Sequence, residues 1–199
     1  MSDQATSADS RGAAPATRPQ RRSSSLLSWV LTVGIAVIVA LVVRAFVFQM
    51  FWIPSESMTP TLEKGDRVLV SKLGDVTSPT RGDIVVFSRP PSLASGEEHL
   101  IKRVIGLPGD RVAFVDGQVF IDEAPLAEPY LPEGTETIDL SRPGCTLEAP
   151  CAVGPGQLWM MGDNRDQSAD SRRFGAIESS TVVGRAFVTV WPISRFGGL

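Results

Sequence analysis

Hydrophobic and polar positions fall into three textures along the chain. Residues 1–25 mix Ser, Ala, Gln, Arg and Pro with no aromatic and almost no large apolar side chain. Such a stretch buries too little to offset the entropy of ordering, and a disordered tail is expected. Residues 26–43, LLSWVLTVGIAVIVALVV, then run apolar without a charge. As a helix they rise about 27 Å, close to the hydrocarbon thickness of a bilayer, which predicts a single transmembrane helix over 26–44. A cleaved secretory signal has a shorter apolar region, of ~7 to 15 residues, ending in a small-x-small site. AFVFQMF after Arg44 offers none, so an uncleaved anchor is expected. Arg18, Arg21 and Arg22 precede the span and only Arg44 closely follows it, which places the N-terminus in the cytoplasm and the remainder outside.

Beyond residue 44 the period shortens. FVFQMFWI is aromatic and β-branched and reads as a strand at the membrane surface. Further short runs follow at 67–72, 83–88, 99–106, 111–115, 118–122, 157–161 and 182–191, punctuated by Gly-Asp, Pro-Gly and Asp-Gly pairs. Asp116-Gly117 between two alternating runs predicts a type I′ hairpin. No helical period of useful length occurs outside the span. The expected fold is therefore mainly β: one N-terminal transmembrane helix followed by an antiparallel β-sheet domain with a β-rich insertion. The texture turns to Pro, Glu, Gly and Thr between Asp122 and Gln157. This sets residues 107–155 apart as an inserted hairpin and loop, with the main domain formed by 45–106 and 156–199.

Composition narrows the function classes. With 199 residues, 43% of them hydrophobic, the chain can build a core. A net charge of −3 and no Lys/Arg-rich block beyond the N-terminal arm argue against a nucleic-acid partner. The two cysteines, Cys145 and Cys151, lie in the external part, where disulfides persist, and five intervening residues allow a bridge whose geometry the sequence does not fix. Zinc competes for the same residues, but two cysteines and a distant His99 make a poor ligand set. No metal or cofactor is expected.

Candidate chemistry centres on PSESMTPTLEKGD, residues 54–66. A serine nucleophile needs a base, and His99, the one histidine, opens a strand beside the polar SGEEH loop, where it reads as an exposed strand-edge residue. Of the 19 basic side chains only Lys64, Lys72 and Lys102 are lysines. Lys102 alone lies in an apolar strand, LIKRVIGL, with Leu100 and Val104 on its face. Burial lowers a lysine's pKa, and a neutral amine is a competent general base. In isolation Lys102 equally reads as a snorkelling cation, and Ser57 as a helix-turn cap.

Four blocks in order remove that ambiguity: IPSESMTPTLEKGDRVLV (53–70), RGDIVVF (81–87), IKRVIGLPGD (101–110) and GDNRDQSADSRRFG (162–175). With the anchor, they make the chain resemble the bacterial type I signal peptidases, membrane-bound proteases with a Ser-Lys dyad. The resemblance implies Ser57 as nucleophile, Lys102 as general base, and an oxyanion hole made by Ser55 and the Ser57 backbone. It gives Ser168 a hydrogen bond to the Lys102 amine, and makes Asp170 and Arg172 a supporting ion pair. Asp163 and Arg165 belong to the same block and are expected to fix its turn. Asp166, Ser168 and Asp170 also have calcium-loop spacing, but Ser171 and Ile177 stand where that pattern needs Gly and Glu.

By position match Ile53, Pro54, Met58, Leu62 and Leu100 line a pocket for a small side chain at the −1 position of the substrate. Phe51, Val68, Val86 and Ile101 surround one for −3. The implied partners are preproteins bearing signal peptides and the lipid bilayer, with Phe46, Phe48, Phe51, Trp52, Trp191 and Phe196 as an apolar rim. The implied reaction is endoproteolysis after small residues through an acyl-enzyme, on the outer face of the bacterial cell membrane. Alternation aims Glu56, between the two serines, away from the site, while a negative charge held near it would raise the pKa of Lys102 or hinder the oxyanion. Two other readings remain at this level: a membrane-tethered β domain that binds extended peptides without cutting, and a self-cleaving Ser-Lys regulator.

Overall fold

The computed structural model describes residues 26–199 except residue 95 and residues 142–143, so the expected disordered tail, residues 1–25, lies outside the described residues. The chain divides into two compact units, residues 1–39 and 40–199. Helix α1 (Leu26–Val47) runs through that division. Val30, Leu31, Val33, Ile35, Ile38 and Leu41 are among its exposed side chains, so it has no polar face. Side chains are described without a break over residues 28–43, and among the described residues no helix is long and apolar enough to cross a membrane. The helix continues past the expected end at residue 44 to Val47. Each added helical residue gains a backbone bond, whereas an extended residue needs a partner strand. That partner is first available at Phe48, which pairs with Ser71.

From Phe48 onward the regular structure is mainly β, in strands joined by turns and loops. The strands are β1 (Phe48–Trp52), β2 (Arg67–Ser71), β3 (Ile84–Ser88), β4 (His99–Gly106), β5 (Arg111–Val115), β6 (Gln118–Ile121), β7 (Ala124–Pro125), β8 (Cys151–Ala152), β9 (Gln157–Met161), β10 (Ile177–Glu178), β11 (Val182–Trp191) and β12 (Gly197–Gly198). A four-residue helix, α2 (Ser171–Phe174), interrupts them. Its brevity explains why no helical period announces it.

All pairings are antiparallel and form two sheets. The first runs β1-β2-β11-β3-β4-β9-β10, with β12 beside β11; the second runs β7-β6-β5-β8 and is built from the insertion. Asp116 and Gly117 take positive φ, 46° and 78°, as the expected type I′ hairpin between β5 and β6 requires. β3 and β4 lie inside the first sheet and are buried on both faces, which accounts for their nearly unbroken apolar runs. Two charged residues in β4, Lys102 and Arg103, are thereby taken out of water.

One core cluster gathers Ile53, Met58, Leu62, Val68, Val70, Ile84, Val86, Ile101 and Ala186. Another packs Val85, Phe87, Val104, Leu158, Met160, Ile177 and Val182. A third joins Ile105, Trp159 and Met161 of the first sheet to Val112, Val119, Ile121, Cys145 and Val153. This shared cluster binds the insertion to the main sheet, so the insertion belongs to the same compact unit rather than standing apart. Cys145 and Cys151 are joined in a disulfide that closes a loop at the edge of this cluster.

Candidate active site

The segment between β1 and β2 is a tied loop. Ile53 N donates to Asp66 O at 2.9 Å and Gly65 N to Ile53 O at 2.8 Å, closing residues 53–66. Inside it the Asp66 carboxylate accepts from Glu63 N at 2.9 Å. Met58 and Leu62 are fully buried in the first core cluster and pin the loop from below. Ser57 is the residue just before this pin, and its side chain is held at the sheet surface with little freedom.

Lys102 approaches from β4. Its Nζ donates to Ser57 Oγ at 2.7 Å and to Ile101 O at 2.9 Å. The residue is only 3% exposed. Burial lowers its pKa from 10.5 to about 8, against an upward pull from the carboxylates of Asp170 and Asp163. A large fraction of the amine is therefore neutral in mildly alkaline solution and can take a proton from the hydroxyl it touches. Ser55 Oγ, on the exposed side, donates to Ser57 Oγ at 3.3 Å. Glu56 points into solvent, and the charges felt at Lys102 are Asp170 and Asp163, so the carboxylate between the serines is aimed away from the amine.

The third component is the stretch from Gly162 to Gly175. A Cβ at Gly162 would lie 2.3 Å from both Ser168 Oγ and Ser57 O, so only glycine lets this loop close on the nucleophile turn. Asn164 N donates to Ser57 O at 3.2 Å, and Asn164 Nδ2 to Glu56 O at 3.1 Å. Asp170 and Arg172 form the expected ion pair, two-pronged and fully buried, with Nε–Oδ1 and Nη2–Oδ2 both 2.9 Å. Asp170 Oδ2 also accepts from Gly162 N at 3.0 Å, which ties the pair to the loop beside Ser57.

Ser168 differs from expectation. It is brought to the site, but its Oγ is buried and makes no hydrogen bond among the described residues. The Lys102 amine bonds to Ser57 Oγ and Ile101 O instead. Asp163 likewise does more than fix a turn: Arg103 forks it, Nε–Oδ1 2.9 Å and Nη2–Oδ2 2.6 Å, while Thr61 Oγ1 donates to Oδ2 at 2.6 Å. Arg165 holds its own turn, Nε donating to Gly162 O at 3.2 Å, and also pairs with Glu128 of the insertion, Nη1–Oε2 3.0 Å, and donates to Thr137 Oγ1. Sequence reading missed Glu128, Tyr130, Thr137 and the Arg103–Asp163 fork. A buried strand carrying adjacent Lys and Arg was the available signal for the last, since alternation sends the second cation to the opposite face, where it needs its own acid.

His99 is not an exposed edge residue. It is half-buried in an interior strand, edge-on to Phe51 at 5.7 Å. Of the expected pocket residues, Phe51, Ile53, Met58, Leu62, Val68, Val86 and Ile101 share one cluster beneath Ser57. Pro54 is half-buried beside them in sequence, whereas Leu100 packs against the other face, with Val85 and Phe87. Alternation in β4 sends Leu100 and Ile101 to opposite faces; Lys102 starts from the Leu100 face, and its Nζ bonds Ile101 O and Ser57 Oγ. A cavity of about 520 Å³ opens elsewhere, between the disulfide loop and Gly175, and no residue of the Ser57–Lys102 pair lines it.

Comparison with known proteins gives the family. Residues 26–191 match the family described as signal peptidase, peptidase S26. A signal peptidase I of Leptolyngbya laminosa is 38% identical, covering 94% of this chain and 90% of its own. That of Mycobacterium tuberculosis (strain ATCC 25618 / H37Rv) is 36% identical, over 98% of this chain and 84% of its own. The signal peptidase I of Bacillus caldolyticus is 38% identical, over 81% and 90%. A crystal structure of a signal peptidase I from Enterococcus faecalis V583 covers 54% of this chain and 95% of its own, with a TM-score of 0.44 and 30% identity. The chain belongs to the peptidase S26 family of signal peptidases and is a serine peptidase, a hydrolase of peptide bonds.

Proposed function

We propose that this chain is a membrane-anchored endopeptidase that removes N-terminal signal peptides from exported preproteins, with Ser57 as nucleophile and Lys102 as general base. The observation that carries this reading is the 2.7 Å contact between Lys102 Nζ and Ser57 Oγ in a setting that leaves the lysine 3% exposed. Ser57 Oγ attacks the scissile carbonyl carbon as its proton passes to the neutral amine of Lys102. The resulting ammonium returns that proton to the departing amine as the carbon–nitrogen bond breaks, leaving an ester on Ser57. Lys102 then takes a proton from water as the water oxygen attacks the ester carbon, and hands that proton to Ser57 Oγ as the acyl–oxygen bond breaks, which restores both the hydroxyl and the neutral amine. Lysine has no tautomer to orient, so burial and the Ile101 carbonyl bond do what an aspartate does for a histidine base.

The oxyanion that forms meets Ser55 Oγ and the Ser57 N–H. Removing one such donor costs about 10² to 10³ in turnover. Specificity for small side chains at −1 and −3 is assigned to the cluster of Ile53, Met58, Leu62, Val68, Val86, Ile101 and Phe51, which leaves little room beneath the serine. An extended substrate laid along the sheet would aim alternate side chains into it.

Anchoring is assigned to the uncharged residues 26–43, with the N-terminus cytoplasmic by the arginine bias and the β unit on the outer side. The exposed Met50, Trp52, Trp191, Ile193 and Phe196 of the second unit support contact with lipid, because a monomer rarely leaves so many large apolar side chains in water. The test is cleavage of a precursor with small residues at −1 and −3 by purified Ser57→Ala and Lys102→Ala variants. Both are expected to be inactive while folded, and continued processing by either would refute the dyad.

A further inference from the structure

The insertion meets the arginines that flank the Ser57–Lys102 pair through Glu128, Thr137, the Ile138 carbonyl and one aromatic ring. Tyr130 lies with its face over Arg103, whose Cζ is 3.8 Å from the ring centroid. That guanidinium is the one that forks Asp163 and also donates to Gly82 O at 2.8 Å. Tyr130 is itself held from behind: its hydroxyl donates to Glu128 Oε1 at 2.6 Å, and Glu128 is paired with the buried Arg165. The residue after Asp163 is Asn164, which grips the Glu56 and Ser57 carbonyls.

We propose that Tyr130 is a positioning residue for the Ser57–Lys102 pair, its ring face holding Arg103 in its fork on Asp163 and so fixing both the charge beside the lysine and the grip on the nucleophile turn. This inference rests on the dyad reading above. A cation over an aromatic face gains most where water is excluded, and Arg103 is 7% exposed. The charged groups around the amine are few. Asp163 is neutralised by Arg103 from β4, Asp170 by Arg172 in its own loop, and Arg165 by Glu128 from the insertion. Glu56 on the nucleophile turn faces solvent.

Loosening Arg103 leaves the Asp163 charge less compensated, which favours the ammonium form of Lys102. Water entering beside the opened fork favours it as well, so both effects act in the same direction. The ascending limb of activity therefore moves to higher pH when the aromatic face is lost. A purely structural role for Tyr130 would lower activity evenly at all pH values.

The experiment measures kcat and KM of the full chain in detergent between pH 6 and 10, on a peptide with small residues at −1 and −3, for wild type and for Tyr130→Phe, Tyr130→Leu and Tyr130→Ala. Phe keeps the ring and is expected to leave the limb in place. Leu fills the space without a π face and is expected, like Ala, to move the limb up by about 0.5 to 1 unit. At pH 7 that lowers kcat roughly three- to tenfold with KM unchanged, and the gap closes by pH 10. Should the alanine variant fail to fold, the leucine variant decides. An unmoved limb in Tyr130→Leu, a shift in Tyr130→Phe as large as in Tyr130→Leu, or a loss equal at every pH would overturn the inference. An inactive Ser57→Ala control alongside an unmoved Tyr130→Leu limb overturns this inference alone, whereas an active Ser57→Ala variant removes the dyad reading and this inference with it.

Discussion

Raising the pH from 6 to 9 is expected to switch on peptide cleavage through Lys102. With the amine near its ordinary 10.5, only about three molecules in ten thousand would carry it neutral at pH 7. Burial brings the value to about 8, so close to a tenth are neutral at pH 7, half at pH 8 and nine-tenths at pH 9. kcat/KM should rise about tenfold per unit below pH 8 and level off above it, a span of roughly ninety-fold between pH 6 and pH 9. The same shift appears in stability, with a definite sign. The folded pKa lies below the unfolded one, so between about 8 and 10.5 the unfolded chain holds the extra proton and stability increases with pH. Below about 8 the folded state carries the whole cost of a buried ammonium, on the order of 3 kcal/mol. Lys102→Met should accordingly be inactive yet more stable than wild type at pH 6, with the advantage gone by pH 11. A fluorogenic peptide assay across pH and chemical denaturation of both proteins read these out. A flat activity profile, a limb near 10.5, or a Lys102→Met variant less stable at pH 6 than at pH 10 relative to wild type would refute the argument.

Three further outcomes follow from the geometry around the pair. Gly162→Ala forces a Cβ to within 2.3 Å of Ser57 O and Ser168 Oγ, so cleavage should fall sharply and stability drop by about 1 to 3 kcal/mol, seen in kcat and in thermal melting. Asp170→Asn leaves the fully buried Arg172 without its counter-charge and should cost roughly 3 to 5 kcal/mol in denaturant unfolding, far more than the loss of the exposed Arg111–Glu123 pair in Arg111→Ala. Replacing Trp191, Ile193 and Phe196 together by Ser should reduce co-sedimentation of residues 48–199 with lipid vesicles while leaving hydrolysis of a short soluble peptide within about twofold, since those side chains are surface-exposed.

Much of the fold was legible because its determinants are local. Strands β2 to β6, β9 and β11 follow from short apolar runs, most of them β-branched, between turn pairs, and the β5–β6 hairpin follows from Asp116-Gly117. The end of α1 was not legible, because Ala45 to Val47 suit helix and strand alike and the choice depends on where Ser71 arrives to pair. At the site, Ser57 and Lys102 could be picked out only together, through the four blocks that resemble the signal peptidases, since alone the one reads as a turn cap and the other as a snorkelling cation. Ser168 could be placed near them, but that the amine bonds Ser57 Oγ and Ile101 O instead depends on how three separate segments meet. Glu128, Tyr130 and Thr137 carry no signal in a segment of Pro, Gly and Glu, for their meaning comes from Arg103 and Arg165, far away in sequence.

Asn164 seizes the nucleophile turn by its peptide oxygens, Glu56 O and Ser57 O, and ignores the side chain that stands between the two serines. Position 56 is thereby relieved of any architectural duty: whatever residue occupies it, the alcohol stays where the amine can reach it. A substitution there alters the charge on the outer face of the turn without removing the two backbone acceptors that Asn164 holds.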